Sequence, residues 1–363
     1  MSRLKIAVYT MAKNEAAHVE RYAETTREAD IVVVTDTGST DGTPDLLRDA
    51  KIDVHVANIV PWRFDVATNC ALCHVPADVD VCVKLDLDEV IYSRDGTSWR
   101  AEIEQLWEMN VRQLQYWYTW SWLVPGKTPA VKFHSSNVHA RSGFTWRHPG
   151  HAGLYSAEHG HTAHAQVFEI HHYMTNKSRP NYIPLLQLGV RENRCPRTLF
   201  YLGREYSLWK KHTECIETLT EYMAHPAAHW KAERANAMRL MAISHEALGD
   251  DPQALSWLIR AQAELPNVRD IWWELLRHFH DRSDYHGGFW AGIHCLGITE
   301  RDGEWLGITG SAWNEDPYVL TAKCAWYSDH REDAIRFLQQ AFNINPGSKL
   351  AREVAAKIGL DVT

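Results

Sequence analysis

Long apolar runs are missing from this chain of 363 residues. None approaches the ~18 consecutive apolar residues of a membrane-spanning helix. The opening MSRLKIAVYTMAKNEA has its apolar stretch broken by Lys5, so it reads as a first strand and not as a signal peptide. Together these predict a cytoplasmic protein. Positive charge is also short: 38 Lys and Arg stand against 46 Asp and Glu, a formal charge of −8. That disfavours affinity built on wrapping a phosphate backbone and leaves room only for a local basic rim. The segment after the first strand, TMAKNEA, has no glycine, whereas a nucleotidyltransferase would carry a Gly-rich triphosphate loop there. Cysteine is sparse at seven residues. Cys70 and Cys73 have CxxC spacing within NCALCHV, but no second pair completes a zinc site, so they read as structural thiols in a helix.

What is present is a globular composition, 45% hydrophobic and 23% charged, with 16 Trp and 21 His. The length predicts two domains. Residues 4–9, 31–35, 52–57 and 80–85 are apolar runs bounded by turn residues. Helical patterns lie between them, at 15–27, at 44–50 and within FDVATNCALCHV. Alternating strand and helix predicts an α/β domain with a mostly parallel, Rossmann-like sheet over residues 1–179. From about Pro180 the pattern turns to amphipathic helices. Ala254, Ala261 and Pro266 recur as Ala334, Ala341 and Pro346 with the same spacings. This small-residue skeleton predicts an all-α, repeat-like domain of tetratricopeptide type over 180–363.

In parallel sheets ligands sit at the carboxyl ends of strands. Asp36 falls there after the second strand. VKLDLDEV, at 83–90, delivers Asp86 and Asp88 to a later strand end. Alternation along a strand points those two acids the same way, and paired carboxylates suit a hard cation such as Mg²⁺ or Mn²⁺. Three segments then occur in order: KNEA at 13–16, VVVTDTGSTDGT at 32–43 and KLDLDE at 84–89.

In these segments the sequence resembles the family 2 glycosyltransferases, which have a nucleotide-diphosphosugar-binding fold. The resemblance implies an inverting hexosyl- or pentosyltransferase that uses a nucleotide sugar, a UDP-sugar by expectation, with Mn²⁺ or Mg²⁺ held by Asp86 and Asp88. It places Asp36 on the nucleobase and the chain from Thr10 through Lys13 to Glu15 along base and ribose. Asn69, in WRFDVATNCAL, is expected either to reach the donor or to hold its loop. Trp146 and His151, in FTWRHPGHAGLY, keep a family spacing, and His151 is a candidate metal or phosphate ligand. Ala152 stands where the family has Glu, which removes the usual base and leaves Glu89 as the candidate, with Glu158 and Glu169 behind it. His172, Lys177 and Arg179 look like pyrophosphate-facing residues, while the spacing of the His-rich run at 158–179 argues against zinc.

A helical-repeat half implies a macromolecular acceptor: a polysaccharide, a protein, or DNA carrying a hydroxymethylated base. Arg191, Arg194, Arg197, Lys210 and Lys211 are the candidate basic rim for the last of these. The alternative is a transferase-like chain without activity, serving as a helical-repeat binding or scaffold protein, and Ala152 keeps it open.

Overall fold

The computed structural model describes residues 3–107, 110–124, 126–173, 181–301 and 310–360. Its contacts divide the chain into two units, Met1–Arg194 and Cys195–Thr363.

The first unit is built on β1 (Ile6–Ala12), α1 (Val19–Thr25), β2 (Ile31–Asp36), α2 (Thr43–Asp49), β3 (Asp53–Val56), α3 (Phe64–His74), β4 (Val81–Lys84), β5 (Glu89–Ser93) and α4 (Trp99–Leu106). It continues with β6 (Val111–Val124), β7 (Thr128–Ala140), β8 (Phe144–Arg147), β9 (Gly153–Ser156), β10 (His161–His172) and α5 (Ile183–Glu192). Eight strands form one sheet in the order β3-β2-β1-β4-β7-β6-β10-β5, while β8 and β9 make a separate ribbon. The first four strands are parallel, as the alternating apolar runs predict. The remainder departs from the expected Rossmann-like sheet, because β7 runs antiparallel to β4 and β6, and β5 runs antiparallel to β10. The supported description is a mixed α/β unit, and a Rossmann-like one is not confirmed.

Chain length makes this sheet curl. β5 lies four strand spacings from β4 in the sheet order, which is about 19 Å if the sheet were flat. The step from Lys84 to Glu89 reaches at most about 18 Å when fully extended. The sheet therefore bends so that β5 returns toward the carboxyl end of β4. Val81, Val83, Leu85 and Leu87 all bury into one core cluster with Tyr116 and Tyr118 of β6. Lys84, Asp86 and Asp88 alternate with them and stay partly exposed.

A second small core, with Ala7, Tyr9, Val33, Ala71, Leu72, Cys82 and Trp146, docks α3 on the other face. At its centre Trp146 Nε1 donates to the Tyr9 hydroxyl (2.8 Å), which lies 2.8 Å from His139 Nε2. Burial holds the His139 imidazole down at about 4, so it stays neutral and can accept from Tyr9.

The second unit consists of α6 (Pro196–Leu208), α7 (His212–Ala224), α8 (Lys231–Ala247), α9 (Asp251–Glu264), α10 (Arg269–Asp281), α11 (Tyr285–Gly297), α12 (Asp316–Tyr327), α13 (Arg331–Ile344) and α14 (Lys349–Lys357). Each helix packs against the next, and α6 meets α8, α10 meets α12, and α12 meets α14. Contacts of this nearest-neighbour kind define a repeat array. The recurring alanines Ala254 and Ala261 on α9, and Ala334 and Ala341 on α13, are all fully buried. Their small side chains let neighbouring helices approach. Side chains of Asp250, Asp284 and Ser348 accept backbone N–H bonds at the starts of α9, α11 and α14, which satisfies donors that a helix start leaves free.

Candidate functional site

The acids singled out in the sequence fall in one turn. Leu85 to Asp88 link β4 to β5, and the Glu89 backbone N–H closes the turn on Asp86 O at 3.0 Å. Asp86 is fully engaged: Oδ1 accepts from Thr10 Oγ1 (2.8 Å) and Oδ2 meets Lys84 Nζ (2.5 Å). An ammonium thus already supplies the positive charge that a cation was expected to bring. Asp88 is bonded through Oδ2 to His172 Nε2 at 3.0 Å, and His172 Nδ1 lies 3.1 Å from Trp120 O. Burial opposes both charges, yet the mutual hydrogen bond prevails. It holds the Asp88 carboxyl below its ordinary range and the His172 imidazole above its own.

Glu89 is buried at the head of β5. Its Oε2 accepts the Asp86 N–H (2.8 Å) and its Oε1 accepts the Tyr118 hydroxyl (2.6 Å). Burial first, and the Asp86 charge second, push this carboxyl up to about 7. Both oxygens are spent on holding the turn. The other two candidate bases are paired as well. Glu158 meets Arg112 at 2.9 Å. Glu169 holds Lys132, Arg94 and His171, partners that outweigh its burial and bring it to about 2.

The glycine and asparagine motifs are largely spent on one another. Asn14 accepts from Thr40 N (2.8 Å) and donates through its own backbone to Ser39 Oγ (2.8 Å). Asp41 accepts from Ala16 N and from Thr43. Asp36 Oδ1 caps the turn by accepting from Gly38 N and Ser39 N, each at 3.0 Å. Its Oδ2 is buried with no hydrogen-bond partner among the described residues. Glu15 lies on the same loop, its backbone N–H bonded to Thr43 Oγ1 (2.9 Å) and its carboxylate 3.7 Å from His18. Lys13 is exposed there. Asn69 lies on α3 and not in a loop, and ties that helix to β8: Oδ1 accepts from Trp146 N (2.9 Å) and Nδ2 donates to Trp146 O (2.8 Å).

His151 sits with positive φ in the link between β8 and β9, its ring 6.3 Å from that of Tyr182. Among the described residues it does not join Asp86 and Asp88 in a three-ligand group; the group found there is Cys70, Cys73 and His74. Lys177 and Arg179 lie outside the described residues. Of the candidate basic rim, Arg197 lies over the Tyr201 ring and Lys211 pairs with Glu214 at 2.8 Å. Of the residues that neutralise and anchor the acidic turn, Lys84 opens the KLDLDE segment but was not singled out, and Tyr118 carried no sequence motif. Lys84 alone was legible, as the residue two before Asp86 on the same strand face.

No family model matches the chain, and no curated protein matches it. Solved structures similar to it are tetratricopeptide-repeat proteins. PilF of Pseudomonas aeruginosa is 15% identical over 48% of this chain and 72% of its own, with a TM-score of 0.40. MamA is 15% identical over 48% and 89%, TM-score 0.37. YrrB, a tetratricopeptide protein with an unusual peptide-binding site, is 12% identical over 48% and 81%, TM-score 0.38. Likenesses this faint assign no partner. The expected membership of the family 2 glycosyltransferases, and the transferase activity that followed from it, are corrected on these findings: no family or curated match supports them, and the similar structures are repeat proteins. Two of the segments that carried the resemblance, KNEA and VVVTDTGSTDGT, are bonded to each other, a job that turn-forming residues do in many folds, while the acids of KLDLDE are bonded to Thr10, Tyr118 and His172. Among the described residues no helix is long and apolar enough to cross a membrane.

Proposed function

We propose that this protein is a binding or scaffold protein whose helical-repeat unit holds a protein or peptide partner. The observation that carries the reading is the nearest-neighbour packing of α6 to α14, because such arrays expose long continuous surfaces suited to macromolecules. Trp290 and Ile293 on α11 are exposed apolar residues of this array, and Trp290 packs edge-on against Trp272 of α10 at 5.0 Å. Aromatic anchors of this kind dominate protein interfaces. The test is selection of a peptide-display library on the full chain, followed by calorimetry with the enriched peptide. A shared motif whose affinity falls at least about tenfold in Trp290→Ala or Ile293→Ser supports the reading. No enrichment, or binding indifferent to every substitution on the array, sinks it.

A second reading concerns the α/β unit, and one atom favours it. Asp36 Oδ2 is buried without a partner among the described residues, and Asp36 ends β2, Asp86 lies just beyond β4 and Thr10 lies in the last half of β1. We infer a bound ligand of the nucleotide-diphosphate class, the nucleotide sugar included, accompanied by Mn²⁺ or Mg²⁺. Asp88 has an oxygen left for a cation, whereas Asp86 must first release Lys84. Thermal unfolding of the full chain with UDP and Mn²⁺ tests this, since a ligand that binds only the folded state raises Tm. The rise is expected to vanish with EDTA and in Asp36→Asn; no rise with any nucleotide diphosphate ends the reading.

A further inference from the structure

Away from the acidic turn, α3 carries a cluster that none of the readings above uses. Ala67, Ala71 and Leu72 bury one face of α3 against the sheet, which turns Cys70, Cys73 and His74 outward: Cys73 is exposed and the other two are partly so. One ligand atom from each, the two Sγ and an imidazole nitrogen, lies within 4.8 Å of both others. A tetrahedral ion with Zn–S of ~2.3 Å and Zn–N of ~2.0–2.1 Å needs ligand atoms roughly 3.5–3.8 Å apart. The three donor atoms therefore lie within small side-chain adjustments of that geometry, because Cys73 and His74, three and four residues beyond Cys70, each neighbour it on the helix surface.

A second element fixes the imidazole. His55 on β3 stacks on His74 with ring centroids 3.7 Å apart and planes 2° from parallel. The far side of His55 is held in turn by Asp53, whose Oδ2 lies 3.2 Å from His55 Nε2. Cys70 and Cys73 are both free thiols, and Cys73 Sγ is parked on Cys70 O at 3.1 Å, a weak bond that a metal would readily replace.

We propose that Cys70, Cys73 and His74 form a binding site for a thiolate-seeking transition-metal ion, Zn²⁺ above all, with the fourth position open to solvent or to a fourth donor. Two thiolates and one neutral imidazole suit Zn²⁺ and not Mg²⁺ or Mn²⁺. Binding releases the two thiol protons to solvent and leaves the site electrically neutral. His55 is a positioning residue: it holds the His74 ring without itself touching the ion.

The test uses the full chain, reduced and stripped with a chelator, and titrated with Co²⁺ as a spectroscopic stand-in for Zn²⁺. One Co²⁺ per chain is expected, with the intense visible bands of a tetrahedral site and a near-ultraviolet thiolate-to-cobalt band, both bleached by one equivalent of Zn²⁺. Cys70→Ser/Cys73→Ser should abolish the thiolate band. His55→Ala should weaken the affinity roughly tenfold or more while leaving the band shape unchanged, as removal of a positioning partner does. Cys73 is exposed, so Cys73→Ser alone serves as the variant whose fold is not at issue, and its thiolate band should fall by about half. An octahedral spectrum without a thiolate band, no uptake by the reduced chain, or a band that survives in the double variant overturns the proposal.

Discussion

Tyr118 of β6 donates its hydroxyl hydrogen to Glu89 at the head of β5 across 2.6 Å, and both side chains are buried. The bond ties the returning edge strand to the middle of the sheet and fixes the acidic turn between them. Glu89 is raised to about 7, by burial and then by the Asp86 charge, from an unfolded value near 4.5. The folded state therefore binds more protons than the unfolded one between those two values. The stability that protonated Glu89 contributes is full below about pH 4.5 and is lost as pH rises through about 7. Comparing Glu89→Gln with the native chain by urea unfolding at pH 5 and pH 8 should show the native chain losing more stability over the interval than the variant. Parallel pH dependences in the two proteins would remove Glu89 as the source.

The Asp88 and His172 pair should behave in the opposite sense at its two ends. Asp88 is lowered, so its contribution exists above the ordinary carboxylate range and fades as pH falls through the lowered value. His172 is raised, so its contribution is full below the ordinary imidazole value and is lost as pH rises through the raised one. The pair stabilises most between those limits. In an NMR titration of the ring protons, Asp88→Asn should drop the His172 pKa below its native value. An unchanged His172 titration would show that the pair does not couple in solution.

Legibility tracked how local the signal was. β1 to β4 are short apolar runs, and each parallel pairing between them follows from strand, helix, strand order. The strand VRQLQYWYTWSWLV alternates as well, with Leu114, Tyr116 and Tyr118 buried and Gln113, Gln115 and Trp117 partly exposed. Its period of two was present in the sequence, and its pairing with β7 is a local hairpin in which Val124 stands opposite Thr128, but nothing in it says that β5 closes beyond β10, since that pairing joins residues far apart in the chain. The acidic turn shows the same limit. Asp86 and Asp88 were visible as a pair, while the groups that occupy them, Thr10 and His172, come from 76 and 84 residues away. The alanine spacing of the repeats was readable because it is local: Ala254 and Ala334 sit at equivalent places in α9 and α13.

Asn69 is expected to act on stability and not on ligand binding. It spans the Trp146 peptide with one donated and one accepted bond, so Asn69→Ala leaves a partly buried N–H and C=O without partners, at a cost of about 1–3 kcal/mol. Chemical unfolding read by Trp fluorescence measures it. A change under ~0.5 kcal/mol would mean that water replaces the amide at little cost.

A close approach of α11 to α12 predicts a sharp packing defect. Gly288 and Gly292 lie one turn apart on α11 and face α12: a Cβ at Gly288 would meet Cys324 Sγ at 2.6 Å, and one at Gly292 would meet Thr321 Oγ1 at 2.2 Å. Thr321 is fully buried with its hydroxyl bonded to Pro317 O at 2.6 Å, so it has little freedom to move aside. Alanine is the better helix former by about 1 kcal/mol, yet overpacking a filled interface costs about 1–3 kcal/mol. The clash should win at Gly292. Gly292→Ala is therefore expected to lower stability, and Gly292→Ala/Thr321→Ala, which removes the obstructing hydroxyl and methyl, to recover part of the loss. Calorimetric unfolding of both variants decides it: a Gly292→Ala chain as stable as the native one would mean that α11 and α12 stand farther apart than these contacts place them.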